Sequence, residues 1–306
     1  MNKKLIILAA AAAAFTGCAV EENARSTGEY ARDYLNLWLQ EYYPQLSANS
    51  SGIYIMEETV GTGDLRDSEK TYAYMSSTVT TLDGTISSTT EENLSKQLGT
   101  YVVGNYYGPK YSNTGENYSY AGLDAVLDGM RIGGTRKAIV PAWLLTTDRY
   151  STLQEYIDNA STSASYIYTI KFEGQAEDPY ENELDSLKNY MARHYPDVPP
   201  MTYDEEQTLD GSFYFITDIS EFENDPDAVV RSDDATGAIN YSGYLLNGQL
   251  FDTTIANVAK NGGLYNSSTT YSTQSITFAE EWDNIKMGSS DSGLIDGLKG
   301  ALSLMQ

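Results

Sequence analysis

The chain is nearly empty of the usual catalytic side chains. One cysteine, Cys18, and one histidine, His194, stand among 306 residues. A single cysteine excludes an intrachain disulfide, and the pair argues against Cys-His catalysis and the common zinc spacings. Basic residues are scarce as well. Lys and Arg number 19 against 43 Asp and Glu, a formal net charge of −24. A surface of that sign repels phosphate backbones and anionic lipid headgroups, and argues against nucleic acid as a partner. The acidic pairs Asp225/Asp227 and Asp233/Asp234 lack the spacing of a calcium loop and read as solvated turns. His194, in Met-Ala-Arg-His-Tyr-Pro, reads as a capping or surface residue at a helix end. No metal-ligand set and no cofactor motif is found. Long apolar runs are missing too, apart from Leu5–Phe15, which is too short to span a bilayer.

What is present begins with a basic Asn2-Lys3-Lys4, that apolar run, and then Phe15-Thr16-Gly17-Cys18. This order fits a secretory leader. Its end resembles a bacterial lipobox, with Phe15 where leucine is usual. The expectation is a signal peptide at 1–17, lipid on Cys18 and a tether over 18–28. Glu21-Glu22 resembles the acidic tag of surface lipoproteins of Bacteroidetes. The expected location is the bacterial outer membrane, lipid-anchored, facing the periplasm or the cell exterior.

Beyond the leader the chain repeats coarsely. Residues 30–46 and 182–196 both have helical apolar spacing and end near a Tyr-Pro. Alternating strands follow at 52–60 and 211–219. Each copy then runs through a strand into a turn, Asp83-Gly84 and Asn247-Gly248, expected as two-residue hairpin turns with positive φ at both positions. Each later reaches an amphipathic helix: Leu123, Val126, Leu127 and Met130 in one copy, Ile295, Leu298, Leu302 and Met305 in the other. The first copy ends with strands at 135–141 and 165–172. The acidic, proline-containing stretch 174–183 reads as a linker. The expected class is α+β: two domains, each an antiparallel sheet with one short helix and a preceding N-terminal helix. Their expected bounds are 29–174 and 181–306, joined by a linker at 175–180.

The order of strand, Asp/Asn-Gly turn, Phe-Asp, and a later glycine-opened helix ending in methionine resembles the FKBP-type peptidyl-prolyl isomerases. The motifs are clearest at Ala121–Met130 with Arg131–Pro141, at Ile239–Thr254, and at Leu294–Leu298. The resemblance implies a sheet wrapped on a helix around an apolar pocket. It assigns Tyr241, Phe251 and Asp252 to catalysis, and Ile276, Phe278, Leu294, Ile295 and Leu298 to substrate binding. It implies no cofactor, and proline-containing exported polypeptides as substrates. The first copy departs from the pattern, with Ser77, Ser87 and Ser88 at the three catalytic places and Leu145-Thr146 where a tyrosine-glycine pair is usual. It is expected to be a weak or inactive isomerase. The second copy stops at Gln306, where the resemblance calls for a further strand, a pocket loop and a closing strand, and is expected to be incomplete there.

Two other functional classes fit the composition. One is a non-catalytic FKBP-like binding or chaperone module. The other is a surface glycan-binding or scaffold lipoprotein, supported by 26 tyrosines that could stack on sugars. If Cys18 carries the anchor, Cys18→Ser releases the protein from membranes in detergent-free fractionation. A variant that stays with the membrane fraction refutes the assignment.

Overall fold

The computed structural model describes residues 25–115, 119–160, 164–200, 214, 216, 234–280, 284–288 and 294–303. Cys18 and Met305 lie outside these residues, as does the strand expected at 211–219 apart from Tyr214 and Ile216. The elements run in the order α1 (Thr27–Tyr42), β1 (Tyr54–Thr59), β2 (Tyr72–Thr81), β3 (Ile86–Thr89), α2 (Glu92–Leu98) and β4 (Lys110–Asn113). They continue with α3 (Ala121–Leu127), β5 (Thr135–Val140), α4 (Leu153–Asn159), β6 (Tyr166–Ala176) and α5 (Pro179–His194). After these come β7 (Thr236–Ile239), β8 (Ser242–Tyr244), β9 (Leu250–Thr253), α6 (Ala256–Asn261), β10 (Gln274–Thr277), β11 (Lys286–Met287) and α7 (Asp296–Ser303). The strand pairs β1–β5, β5–β6, β2–β3, β2–β4, β7–β10, β10–β11 and β8–β9 are antiparallel, and the fold is mixed α+β.

The chain forms two compact units, and the division is not a simple cut. One unit holds residues up to Glu91 together with Pro109–Gln175; the other holds Glu92–Gly108 with Ala176–Gln306. The arm 92–108 thus leaves the first copy for the second unit. The stretch expected as a linker is also structured. Gly174–Ala176 ends β6, and α5 opens at Pro179 with Asp178 accepting from the Tyr180 amide at 2.9 Å. Proline suits the first helical position because it has no amide hydrogen to leave unpaired there, and Asp178 supplies the cap.

The first unit is a six-stranded sheet in the order β1-β5-β6-β2-β3, with β4 also paired to β2. Side chains alternate across its faces. Ala138, Val140, Ile170 and Phe172 join Val126, Leu127 and Met130 of the α3 segment in one core cluster. Ile139 and Ile167 face the other way and join Leu35, Trp38 and Leu39 of α1. The run Ala138-Ile139-Val140 is therefore apolar at every position because both faces of β5 are covered. A capping box starts α1, in which the Glu29 amide donates to Ser26 Oγ at 3.1 Å and the Ser26 amide donates to Glu29 Oε2 at 3.0 Å. Gly28 lets α1 approach α4 closely, since a Cβ there would lie 2.5 Å from Ile157 Cα.

One charged side chain ties this unit together. Arg136 on β5 is buried and donates to Glu58 of β1 through Nε at 2.9 Å and Nη2 at 2.5 Å. Its Nη1 donates to the carbonyls of Val126 at 2.6 Å and Asp128 at 2.7 Å, at the C-terminal end of α3. A positive charge there meets the negative end of the helix dipole as well as the orphan carbonyls.

The second unit has a three-stranded sheet, β11-β10-β7, and a two-stranded ribbon, β8-β9, among the described residues. Its core is Ile276, Phe278, Ile285, Leu294 and Leu302. Ile295 does not join the helical stripe expected of it. It precedes α7 and is 63% exposed.

Arg136→Met removes four donated hydrogen bonds and leaves Glu58 and two carbonyls without their partner. Arg136 is buried but the Glu58 carboxylate is about a third exposed, so water replaces part of what Glu58 loses and the cost is about 1–3 kcal/mol. Denaturant unfolding of the variant is expected to show that loss, and a loss below about 1 kcal/mol would mean that the guanidinium is not the tie described.

Candidate functional site

The hairpin of the second unit is built on hydroxyl groups. Thr254 Oγ1 accepts from the Tyr241 amide at 3.0 Å, and the Thr254 amide donates to the Tyr241 carbonyl at 3.0 Å. Thr253 Oγ1 lies 2.7 Å from Ser242 Oγ and also accepts from the Ile255 amide at 3.1 Å. Both threonines are buried. Each of these bonds recurs 164 residues earlier. Thr90 Oγ1 accepts from the Ser77 amide at 2.9 Å, Thr89 Oγ1 lies 2.8 Å from Thr78 Oγ, and it accepts from the Glu91 amide at 3.0 Å. The strand registers repeat at the same interval, Tyr72↔Asn113 matching Thr236↔Thr277. So do the packed groups of the following segments: Lys96 over Tyr101 with Tyr101 stacked on Tyr107, and Lys260 over Tyr265 with Tyr265 stacked on Tyr271.

The turn differs from the two-residue form expected. Leu245 donates to the Gln249 carbonyl at 2.9 Å and Gly248 to the Leu245 carbonyl at 2.8 Å, so the loop has three residues. Only Gly248 takes a positive φ, +86°, and Asn247 does not. The two-residue turn that Asn-Gly favours, type I′, needs positive φ at both central positions; here the strand has a bulge instead, and one glycine suffices. Gly84, at φ +90°, closes the matching loop in the first copy.

The bulge sets the site. Gly243 pairs with Asp252 and Tyr244 with Leu250, which leaves Phe251 as the extra residue of β9. Its ring lies against Gly243, where a Cβ would come within 2.6 Å of Phe251 Cζ. In the first copy the small and large residues trade places. Val79 stands at the glycine position and Ser87 at the bulge. The Tyr241 hydroxyl donates to Asp252 Oδ2 at 2.7 Å. Phe251 is 39% exposed beside that pair.

The structure therefore joins Tyr241, Phe251 and Asp252 on one ribbon. Ile276, Phe278, Leu294 and Leu298 are joined in a separate group, the core of the unit. Ile276 is fully buried, so it supports the sheet and offers no surface to a ligand. Ile295, exposed, does not join that group. Sequence reasoning missed the threonine latch, Gly243 and the arm. The pair Thr89-Thr90, repeated as Thr253-Thr254, and the shared Lys-x4-Tyr-x5-Tyr spacing were the available signals.

A groove of about 480 Å³ lies beside the ribbon in the second unit. Tyr101, Val103 and Gly104 of the arm line one part, and Tyr244, Leu250 and Val258 another; Tyr241, Phe251 and Asp252 do not line it. Gln249 Nε2 donates to the Asn105 carbonyl at 2.7 Å, holding the arm to the turn. Gly104, at φ +90°, passes so close that a Cβ would lie 2.9 Å from Leu264 Cδ2 and 3.4 Å from the Phe251 carbonyl.

Three solved structures resemble parts of this chain. A peptidyl-prolyl cis-trans isomerase from Pseudomonas syringae pv. tomato matches 50% of the chain and 98% of its own, at 14% identity and a TM-score of 0.34. FkpA from Escherichia coli matches 49% of the chain and 59% of its own, at 13% identity and a TM-score of 0.32. AtFKBP13 matches 43% and 99%, at 19% identity and a TM-score of 0.30. No family model matches the chain. No curated protein matches it either.

Burial first, and the hydrogen bond to Asp252 second, push the Tyr241 phenol up to about 12 from an ordinary 10.0. A phenol raised on folding gives its full contribution to stability below pH 10 and loses it as pH rises through 12. In alkaline titration, the difference between the parent and Tyr241→Phe should isolate one phenolate with a midpoint near 12. Asp252→Asn should lower that midpoint yet leave it above 10, because burial remains. A Tyr241 midpoint at 10 in the parent would contradict the partial burial of the phenol and its bond to Asp252.

Proposed function

We propose that this chain is a lipid-anchored peptidyl-prolyl cis-trans isomerase of the bacterial envelope, built from two FKBP-like domains, that acts on proline-containing exported polypeptides. The observation that carries the reading is the Tyr241–Asp252 hydrogen bond beside the exposed Phe251 ring, all on one bulged ribbon. The reaction needs no nucleophile, metal or redox group. An X-Pro amide turns slowly because its partial double bond must twist, against a barrier of about 18–20 kcal/mol. The twisted amide has lost resonance and is less polar than the planar form, so an apolar surface favours it. Phe251 would hold the proline ring and keep water from one side of the bond. Asp252 accepts a hydrogen bond from the Tyr241 hydroxyl, which fixes the phenol in orientation and leaves the remaining carboxylate capacity for a substrate amide.

The first copy offers Ser77, Ser87 and Ser88 on the same frame. Hydroxymethyl groups are too short to meet across the ribbon as Tyr241 and Asp252 do, and they provide no apolar wall. Catalysis is therefore assigned to the second copy. The groove gives a second reading its support. Because Tyr241, Phe251 and Asp252 do not line it, it suits a non-catalytic binding module that holds a chain beside the ribbon.

The two readings part in one experiment with the 306-residue chain. Under the first, it accelerates cis–trans relaxation of an X-Pro peptide, and Phe251→Ala and Asp252→Ala each lower kcat/KM roughly tenfold, about 1.4 kcal/mol of barrier. Ser87→Ala and Ser88→Ala leave the rate unchanged. Binding of the peptide without acceleration would carry the second reading, and loss of activity on changing the serines would place the site in the wrong copy.

A further inference from the structure

Helix α1 has two apolar faces, and the sheet uses only one. Ala31, Leu35, Trp38 and Leu39 are buried. Tyr30, Tyr34 and Leu37, at i, i+4 and i+7, form a second stripe that is 57%, 49% and 65% exposed. The repeat supplies a comparison within the same chain. Helix α5 is the counterpart of α1, and the two end alike. Tyr43, at φ −140° and ψ 58°, donates to the Leu39 carbonyl at 2.7 Å; Tyr195, at φ −143° and ψ 59°, donates to the Met191 carbonyl at 2.7 Å. Leu187 and Met191 stand at the places of Leu35 and Leu39. At the places of Tyr30, Tyr34 and Leu37, however, α5 carries Asn182, Ser186 and Asn189. One outer face is apolar and its twin is polar.

What distinguishes the two helices is what precedes them. Only residues 19–25 separate Cys18 from the Ser26 cap of α1. Seven extended residues reach roughly 25 Å. We propose that the Tyr30–Tyr34–Leu37 stripe of α1 docks on the lipid surface, so that the protein is oriented against its membrane as well as tethered to it; this rests on the reading of Cys18 as the anchor.

Three features favour a lipid surface as the occupant. Tyrosine and leucine side chains suit the boundary between headgroups and acyl chains. Two of the acids beside the stripe are already engaged, and Glu41, one turn beyond Leu37, is exposed at its end. Asp33 pairs with Arg25 at 3.0 Å and Arg32 at 2.9 Å, and Glu29 closes the capping box. The area is also small. Three side chains offer on the order of a few hundred Å², short of the roughly 800 Å² per partner of a standard protein interface. So weak a contact would not hold a free protein. A tether of seven residues makes the contact intramolecular, at a high effective concentration.

The test supplies its own anchor. The mature chain, starting at Cys18, is coupled through that thiol to a maleimide lipid in phosphatidylcholine vesicles, and its tyrosines are acylated with a water-soluble reagent. Tyr30 and Tyr34 should react at least fivefold more slowly on vesicles than in the free chain, while Tyr180 and Tyr195, exposed at the ends of α5, react equally in both. Tyr30→Asn with Leu37→Asn, which copies the α5 face, should restore the reactivity of Tyr34. Equal reactivity of Tyr30 and Tyr34 on and off vesicles overturns the proposal. Protection of both in the free chain at high concentration, with a doubled sedimenting mass, also overturns it and gives the stripe to a second copy. Because the vesicles provide the lipid, these outcomes are independent of whether cells lipidate Cys18, which the fractionation of Cys18→Ser decides.

Discussion

The hydroxyl of Thr254 holds the site in place. Buried, it accepts the backbone amide of Tyr241 from 13 residues earlier, and an amide left without that partner inside the protein would cost roughly 1–3 kcal/mol. The bond locks where the two strands of the ribbon begin to pair. That start point fixes the bulge, which makes Phe251 the extra residue and sets Asp252 beside the Tyr241 phenol. Thr90 does the same for Ser77 in the first copy, also across 13 residues. The backbone device is therefore indifferent to the chemistry it presents. One copy shows a tyrosine, a phenyl ring and a carboxylate; the other shows three serines.

The exchange of Gly243 and Phe251 for Val79 and Ser87 explains how both sets fit one frame. The ribbon has space for one large side chain at the bulge crossing, and the two copies fill it from opposite strands. A phenylalanine at position 87 would meet a valine across the ribbon, so the first copy could not acquire the site by one substitution. The layers of the first unit are equally interdependent. Arg136 joins β1, β5 and the end of α3 through a single guanidinium, and α1 closes the face of the sheet that α3 leaves open.

Much of this was legible from residue order, and the exceptions have physical causes. Apolar spacing marked α1, α3 and α5 because burial on one face imposes a helical period, and β5 and β6 read as strands because their alternate residues enter different cores. The stretch 174–183 was misread because acid and proline signal a loop by composition, whereas Asp178 and Pro179 are a helix start by position. The hairpin turn was misread because Asn-Gly is compatible with two geometries, and the choice depends on a bulge that lies in the strand outside the turn. That Tyr241, Phe251 and Asp252 lie together was legible from sequence because they share one local ribbon. Ile276 and Phe278 could not be told apart from pocket walls, since apolar residues of a core and of a pocket look alike until burial is known. The arm was invisible because nothing local in residues 92–108 says which copy they will join.

That arm also constrains the order of folding. The Asn105 carbonyl and the Gln249 side chain that meets it are 144 residues apart. Contacts so distant along the chain are slow to form, because the loop between them must close before they add any stability. During synthesis from the N-terminus, residues 92–108 emerge long before their partners exist, while an equivalent ribbon in the first copy is already present. The two ribbons share the latch, the bulge and the glycine turn, but Tyr244 and Leu250, which line the groove with the arm, are Thr80 and Ile86 in the first copy, so the two ribbons present different surfaces.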